Sequence, residues 1–182
     1  GHRARGELSP GLMLGLPQLA HAYGAVGETE GARALLAECT LVCDERGELW
    51  ARGYASFVLG LIAHTEGDFD AAWAHARVSL RVKRLFDDVP GSALCLELLA
   101  WVAAGQGNAE RAARLLGAAG ANRGTIGTSR PDVTLYAPEH HRCERRARAA
   151  LGDATYETIA AEGARLGITD AIAYALGEGL GG

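Results

Sequence analysis

The residues best suited to chemistry are His140, His141 and Cys143, set close together in an arginine-rich stretch. Imidazole and thiolate are the donors that zinc prefers. Their spacing argues against a zinc centre. Adjacent side chains on a helix point about 100° apart, and no second ligand pair stands elsewhere to complete a set of four. No metal and no other cofactor are expected, and the cluster reads as a surface patch at a helix start. Nucleophilic catalysis finds no better footing. Ser56 and Ser79 fall in repeated positions, and the chain has no GxSxG elbow. Asp87-Asp88 precedes Pro90, where turn chemistry accounts for it. A GxxxxGK[ST] phosphate loop is absent, so ATP binding is not expected of this segment. Eight arginines between Arg111 and Arg148 outnumber the carboxylates there. Nucleic acid would want them on one face among stacking aromatics, and only Tyr136 is near. Arg145, Arg146 and Arg148 read as a solvated helix face. Ala160–Leu176 has a faint helix-turn-helix look around Gly167, with no basic recognition helix behind it. Neither catalysis nor direct nucleic-acid binding is expected.

What must position any functional residue is a repeat. Pro10–Gly27 (PGLMLGLPQLAHAYGAVG), Trp50–Gly67 (WARGYASFVLGLIAHTEG) and Pro90–Gly107 (PGSALCLELLAWVAAGQG) follow one another in a 40-residue register. Matched second segments start at Gly27, Gly67 and Gly107. A fixed period of this size marks a helical solenoid, in which one helix pair cannot bury its apolar face alone. The 182-residue chain is 48% hydrophobic but only 6% aromatic. Alanine and leucine dominate, which favours helix throughout.

The first helix of each pair is expected over Leu12–Val26, Ala51–Glu66 and Ser92–Ala104. The second is expected over Thr29–Asp44, Phe69–Leu85 and Ala109–Ala121. Gly27-Glu28, Gly67-Asp68 and Gly107-Asn108 supply a glycine stop and a polar cap for the next helix. Ala20, Gly60 and Ala100, then Ala32, Ala72 and Ala112, place small residues where the paired helices approach.

The small residue, the glycine seven positions later and the small residue five beyond resemble the tetratricopeptide repeat (TPR) from Pro10 to about Gly120. The period is 40 rather than 34, and Asp44, Arg84 and Gly124 stand where that family has a helix-ending proline. The resemblance therefore implies an all-α, TPR-like antiparallel helix-pair solenoid, a right-handed superhelix over residues 10–121. Transferring the family's concave-groove positions gives His21, Tyr54, Phe57, Leu61, His64, Glu97 and Trp101. That aromatic and polar mixture suits recognition of a protein or a small inducer. The competing reading is that Leu61 and Trp101 pack against a neighbouring helix.

Beyond Ala121 the register breaks. Residues 122–137 read as a loop, and residues 138–182 as capping helices over about Pro138–Leu151, Tyr156–Leu166 and Thr169–Gly177. Pro138 suits a first turn, and Asp153 and Thr169 are candidate amino-terminal caps. Residues 1–9 read as a tag scar (Gly1-His2) and the tail of an earlier helix, so a piece of a longer protein is expected. Leu12, Leu14 and Leu16 would then be uncovered, and self-association through the amino-terminal end is expected.

The net charge of −4 is too small to call for a polyionic partner. No apolar run reaches the roughly 18 residues that span a bilayer, so no membrane is expected. Cys39, Cys43, Cys95 and Cys143 form no CxxC pair, which fits packing in a reducing cytoplasm.

Ala109–Gly117 (AERAARLLG), Ala118-Ala119, His141, Ala147–Gly152, Gly163 and Ala171–Leu176 resemble the carboxy-terminal helical region of actinobacterial regulators. Those pair a STAND-type P-loop ATPase with TPR-like repeats, many adding a LuxR-type DNA-binding domain and some a nucleotide-cyclase domain. The resemblance implies a sensor arm that binds an inducer or partner and relieves autoinhibition of the rest of the parent regulator. A free-standing scaffold is the alternative, and an enzyme a distant third.

Overall fold

In a computed structural model, residues 27–123 and 131–178 are described, residues 131–135 by their backbone alone. They form eight α-helices and no strand: α1 (Thr29–Arg46), α2 (Leu49–Thr65), α3 (Phe69–Leu85), α4 (Val89–Gly105), α5 (Ala109–Asn122), α6 (Pro131–Leu151), α7 (Asp153–Ala164) and α8 (Ile168–Leu176). The fold is all-α. The helix expected over Leu12–Val26, with Ala20, His21 and the leucines ahead of them, lies outside the described residues.

The turn residues do what their chemistry allows. Gly67 and Gly107 take φ of 79° and 81°, a left-handed conformation that costs glycine nothing. The next residue then caps: Asp68 Oδ1 accepts from the Ala71 N–H at 3.0 Å, and Asn108 Oδ1 from the Arg111 N–H at 3.1 Å. Glu28 makes no such bond, so the first of the three expected caps is absent. Glu48 caps α2 instead, accepting from the Trp50 and Ala51 N–H groups. Asp88 caps α4 through the Gly91 N–H at 2.9 Å and also pairs with Lys83 Nζ at 3.0 Å.

Each of α1 to α5 packs on the next, and α2 also touches α4. Ala32, Ala72 and Ala112 are fully buried, letting the paired helices close up. One apolar cluster joins α1 to α2 through Leu36, Cys39, Cys43, Val58 and Ile62. A larger one runs from α2 to α8 around Leu96, Leu98, Leu99, Trp101 and Leu115. All four cysteines are buried and none is in a disulfide. Cys39 and Cys43 share a face with sulfurs 3.9 Å apart.

The carboxy-terminal helices fold back over this array. α6 lies against α4 and α5, α7 against α5 and α6, and α8 against α3, α4 and α5. The α5–α7 crossing is backbone on backbone. A Cβ at Gly117 would overlap the carbonyl of Ala160, and one at Gly163 would overlap the carbonyl of Arg114. The carboxyl end of α8 presents its unpaired carbonyls to guanidinium groups: Arg77 donates to Leu176 O at 2.6 Å and Arg111 to Ala175 O at 3.1 Å. Arg148 joins α6 to α7 by donating to Glu144, Asp153 and Glu157 while its guanidinium covers the Tyr156 ring at 4.1 Å.

The boundaries that differ most from the sequence expectation lie toward the carboxyl end. α5 extends through Asn122, and the segment expected as a loop over 122–137 is helical from Pro131. Pro138 consequently lies inside α6, where it removes one N–H from the ladder, instead of starting it. Asp153 and Thr169 sit within the first turns of α7 and α8, and Gly152 and Gly167 hold the cap positions.

The crossing glycines make a direct test. Gly163→Ala drives a methyl into the α5 backbone and is expected to cost about 2–3 kcal/mol. Gly120→Ala, at a helical glycine with nothing within 4 Å of the new methyl, is expected to be neutral or to gain about 0.5 kcal/mol. Denaturant melts of the two single variants read the contrast.

Candidate functional site

The seventeen-residue α4 carries one charged side chain, Glu97. It is 3% exposed. A carboxylate so placed needs partners, because burying an unpaired charge costs several kcal/mol. Arg123, just past the end of α5, forms an ion pair with its Oε2. His140 of α6 meets its Oε1 through Nδ1 at 2.7 Å. The carboxylate thus ties α4 to α6 and to the segment that follows α5.

Around this polar clasp the contact is aromatic and close-packed. Trp101, one turn along α4, is 4% exposed. Its ring lies 5.9 Å from that of Tyr136 on α6 and 5.8 Å from that of His64 on α2. Tyr136 also meets Phe57 edge-on at 6.3 Å. Further along α6, Cys143 donates to Ala100 O at 3.5 Å and Ala147 is buried.

Phe57, His64, Glu97 and Trp101 are therefore brought together beneath α6, with Leu61 packed against the same cluster. Tyr54 is not among them. It stacks on Trp50 at 6.2 Å, beneath the Lys83 ammonium at 5.5 Å, and packs against the α1–α2 cluster. His21 lies outside the described residues. The groove set read from the sequence did not include Arg123, Tyr136 and His140, which complete this contact. The available signal was Glu97 itself, a lone charge in an otherwise apolar helix.

Beside α6 a cleft of about 280 Å³ opens between His64, Phe69 and Trp101 on one wall and Glu139, Arg142 and Arg146 on the other. Arg142 pairs with Glu139 at 3.2 Å, whereas Arg146 has no ion-pair partner among the described residues. The Trp101 indole N–H is buried without a hydrogen-bond partner there. Burial holds the His64 imidazole below its ordinary pKa, and burial with the nearby Arg123 guanidinium does the same for His140. Arg123 already balances the Glu97 carboxylate, which leaves little to stabilise an imidazolium.

Burial pushes the Cys95 thiol up to about 11 and the Cys143 thiol up to about 12, so both stay protonated near neutrality. Ser79 accepts from Cys95 at 3.3 Å, and Ser56 donates to Arg52 O at 3.0 Å. His140, His141 and Glu144 place one donor atom each within 4.8 Å of one another, the single metal-capable group found among the described residues. Cys143, between them in sequence, faces the interior instead. No protein-family model, curated protein or solved structure matches the chain.

Two outcomes follow from burial. Trp101→Ala leaves a cavity under α6 and is expected to lower stability by about 3–5 kcal/mol, read as a large fall in melting temperature. The second concerns pH. His64, His75 and His140 are all held below the ordinary histidine value by burial. The unfolded chain then binds more protons than the folded one in that range, so stability rises with pH. It is fully present above about 6.5 and is lost as pH falls through the lowered folded values. Melting temperature is expected to drop between pH 8 and pH 5, and to drop less in His64→Gln.

Proposed function

We propose that this chain is the TPR-like sensor or protein-interaction domain of a larger LuxR-type STAND ATPase transcriptional regulator. In this reading it binds an inducer or a protein partner and carries no catalysis itself. Support comes first from the spacing of the elements. α1, α3 and α5 begin at Thr29, Phe69 and Ala109, and α2 and α4 at Leu49 and Val89. A solenoid of antiparallel pairs with a 40-residue period accounts for all five starts, and it makes α2 and α4 equivalent helices lying side by side.

The observation that carries the recognition role is the seating of α6. A helix of the chain lies across the face of α2 and α4 formed by Phe57, His64, Glu97 and Trp101, reached by Tyr136 and His140. A groove that takes its own helix through aromatic anchors and one buried carboxylate has the makings of a helix-in-groove receptor. An inducer or partner helix with a similar apolar stripe and one basic group would compete with α6 for that face. Displacement of α6 would then be the signal passed to the ATPase and DNA-binding parts. The cytoplasm is the compartment this role requires.

The test is the coding sequence on either side of this segment. A P-loop ATPase upstream or a LuxR-type helix-turn-helix downstream, in the same reading frame, is the expected result. A reading frame that holds neither overturns the regulator assignment and leaves the free-standing scaffold.

A further inference from the structure

We infer that His140, His141 and Glu144 form a binding site for a borderline divalent cation of the Zn2+, Co2+ or Ni2+ class on the outer face of α6, with Glu97 holding His140 from behind. The inference is independent of the sensor reading, since it uses side chains that α6 keeps whatever the parent protein does.

Helix geometry brings the three groups together. His140 and His141 diverge by about 100°, but Glu144 stands about 40° from His140 and 60° from His141, between the two. Side chains on a helix lean toward its amino terminus, so Glu144 reaches back over the gap that separates the imidazoles. The resulting donor spread of 4.8 Å must shrink to about 3–3.5 Å for ligands held at about 2.0–2.1 Å from one ion. Rotation of the exposed His141 ring supplies that movement.

The second layer is already built. Glu97 Oε1 receives His140 Nδ1 at 2.7 Å, which puts the ring proton on Nδ1 and leaves the Nε2 lone pair for a metal. Metal-bound histidines are oriented in this way by a carboxylate. Arg148 holds Glu144 by Oε1 at 2.9 Å, and Oε2 accepts no hydrogen bond among the described residues. Of the arginines on α6, Arg148 faces Asp153 and Glu157 as well as Glu144 and Arg142 faces Glu139, while Arg145 and Arg146 have no ion-pair partner among the described residues.

The donor set selects the ion. Two imidazole nitrogens and one carboxylate oxygen suit zinc, cobalt or nickel, whereas calcium and magnesium seek oxygen ligands. Three protein donors leave the remaining positions to water, the arrangement of an open site. Cys143 plays no part, because its sulfur bonds to Ala100 O inside the protein.

Calorimetric titration of the chelator-treated chain with ZnCl2 tests the site, as does CoCl2 followed by its visible absorption. One ion per chain is expected at micromolar affinity, with no competition from millimolar Mg2+. His141→Ala and Glu144→Gln should each weaken zinc binding at least tenfold. His141→Ala should do so without shifting the melting temperature, because His141 is exposed. Glu97→Gln, which loosens the hold on His140, should weaken binding about tenfold, and Cys143→Ser should leave it unchanged. If Glu97→Gln fails to fold, His141→Ala still decides. Absence of binding at millimolar zinc, or equal affinity in the parent chain and His141→Ala, overturns the site.

Discussion

Everything on the α6 side of the molecule depends on one buried carboxylate. Glu97 sits in a helix that is otherwise apolar along its length, at 3% exposure. Without Arg123 and His140 it would have to take up a proton or remain an uncompensated charge in the core. Its two oxygens are directional acceptors, each taken by a different segment. Apolar contacts such as Trp101 against Tyr136 tolerate sliding by a turn, whereas the carboxylate does not. The clasp therefore fixes the register of α6, while the aromatic contacts supply most of the burial.

A second constraint acts where α5 crosses α7. Gly117 and Gly163 let α5 and α7 approach until each backbone fills the space a side chain would need. α8 is then held by charge as well as packing, its last carbonyls answered by Arg77 and Arg111 and Glu178 answered by Arg84. The Arg111 guanidinium also lies 4.5 Å from the Trp73 ring centroid, which helps it keep its charge while half-buried. The carboxy-terminal helices thus add glycine contact and arginine chemistry to the apolar core they share with α2 to α5.

That difference explains what was legible in the sequence. Helices α1 to α5 could be placed because glycine turns and capping residues are local signals, and Gly67-Asp68 and Gly107-Asn108 do what their types suggest. α6 was misjudged at its start because Pro138 is the more conspicuous proline. The chain is already helical at Pro131, and packing of Tyr136 against Phe57 and Trp101 compensates for the backbone bond lost at Pro138. Such compensation is tertiary and leaves no local trace. Gly117 and Gly163 look like weak points of ordinary helices, and only the crossing gives them a reason. At the candidate groove, register placed Phe57, His64, Glu97 and Trp101 on one face. It did not reveal that α6 covers that face, nor that Tyr54 belongs with Trp50 and Lys83.

On the sensor reading, the energetics of α6 release decide whether such a groove can signal. A buried ion pair is worth little relative to the same groups in water. Exposing Glu97, Arg123 and His140 together is therefore far less costly than breaking one partner from the other two. The main resistance comes from uncovering Trp101, Phe57 and Cys143, at about 25 cal/mol for each Å² of apolar surface returned to water. A competing ligand must replace that surface, and its apparent affinity is reduced by the fraction of chains in which α6 has moved away. A ligand that covers the aromatic patch but lacks a base for Glu97 leaves a carboxylate desolvated and unpaired, with a penalty of several kcal/mol. The clasp that sets the register of α6 in the closed form would then act as the specificity filter in the open one.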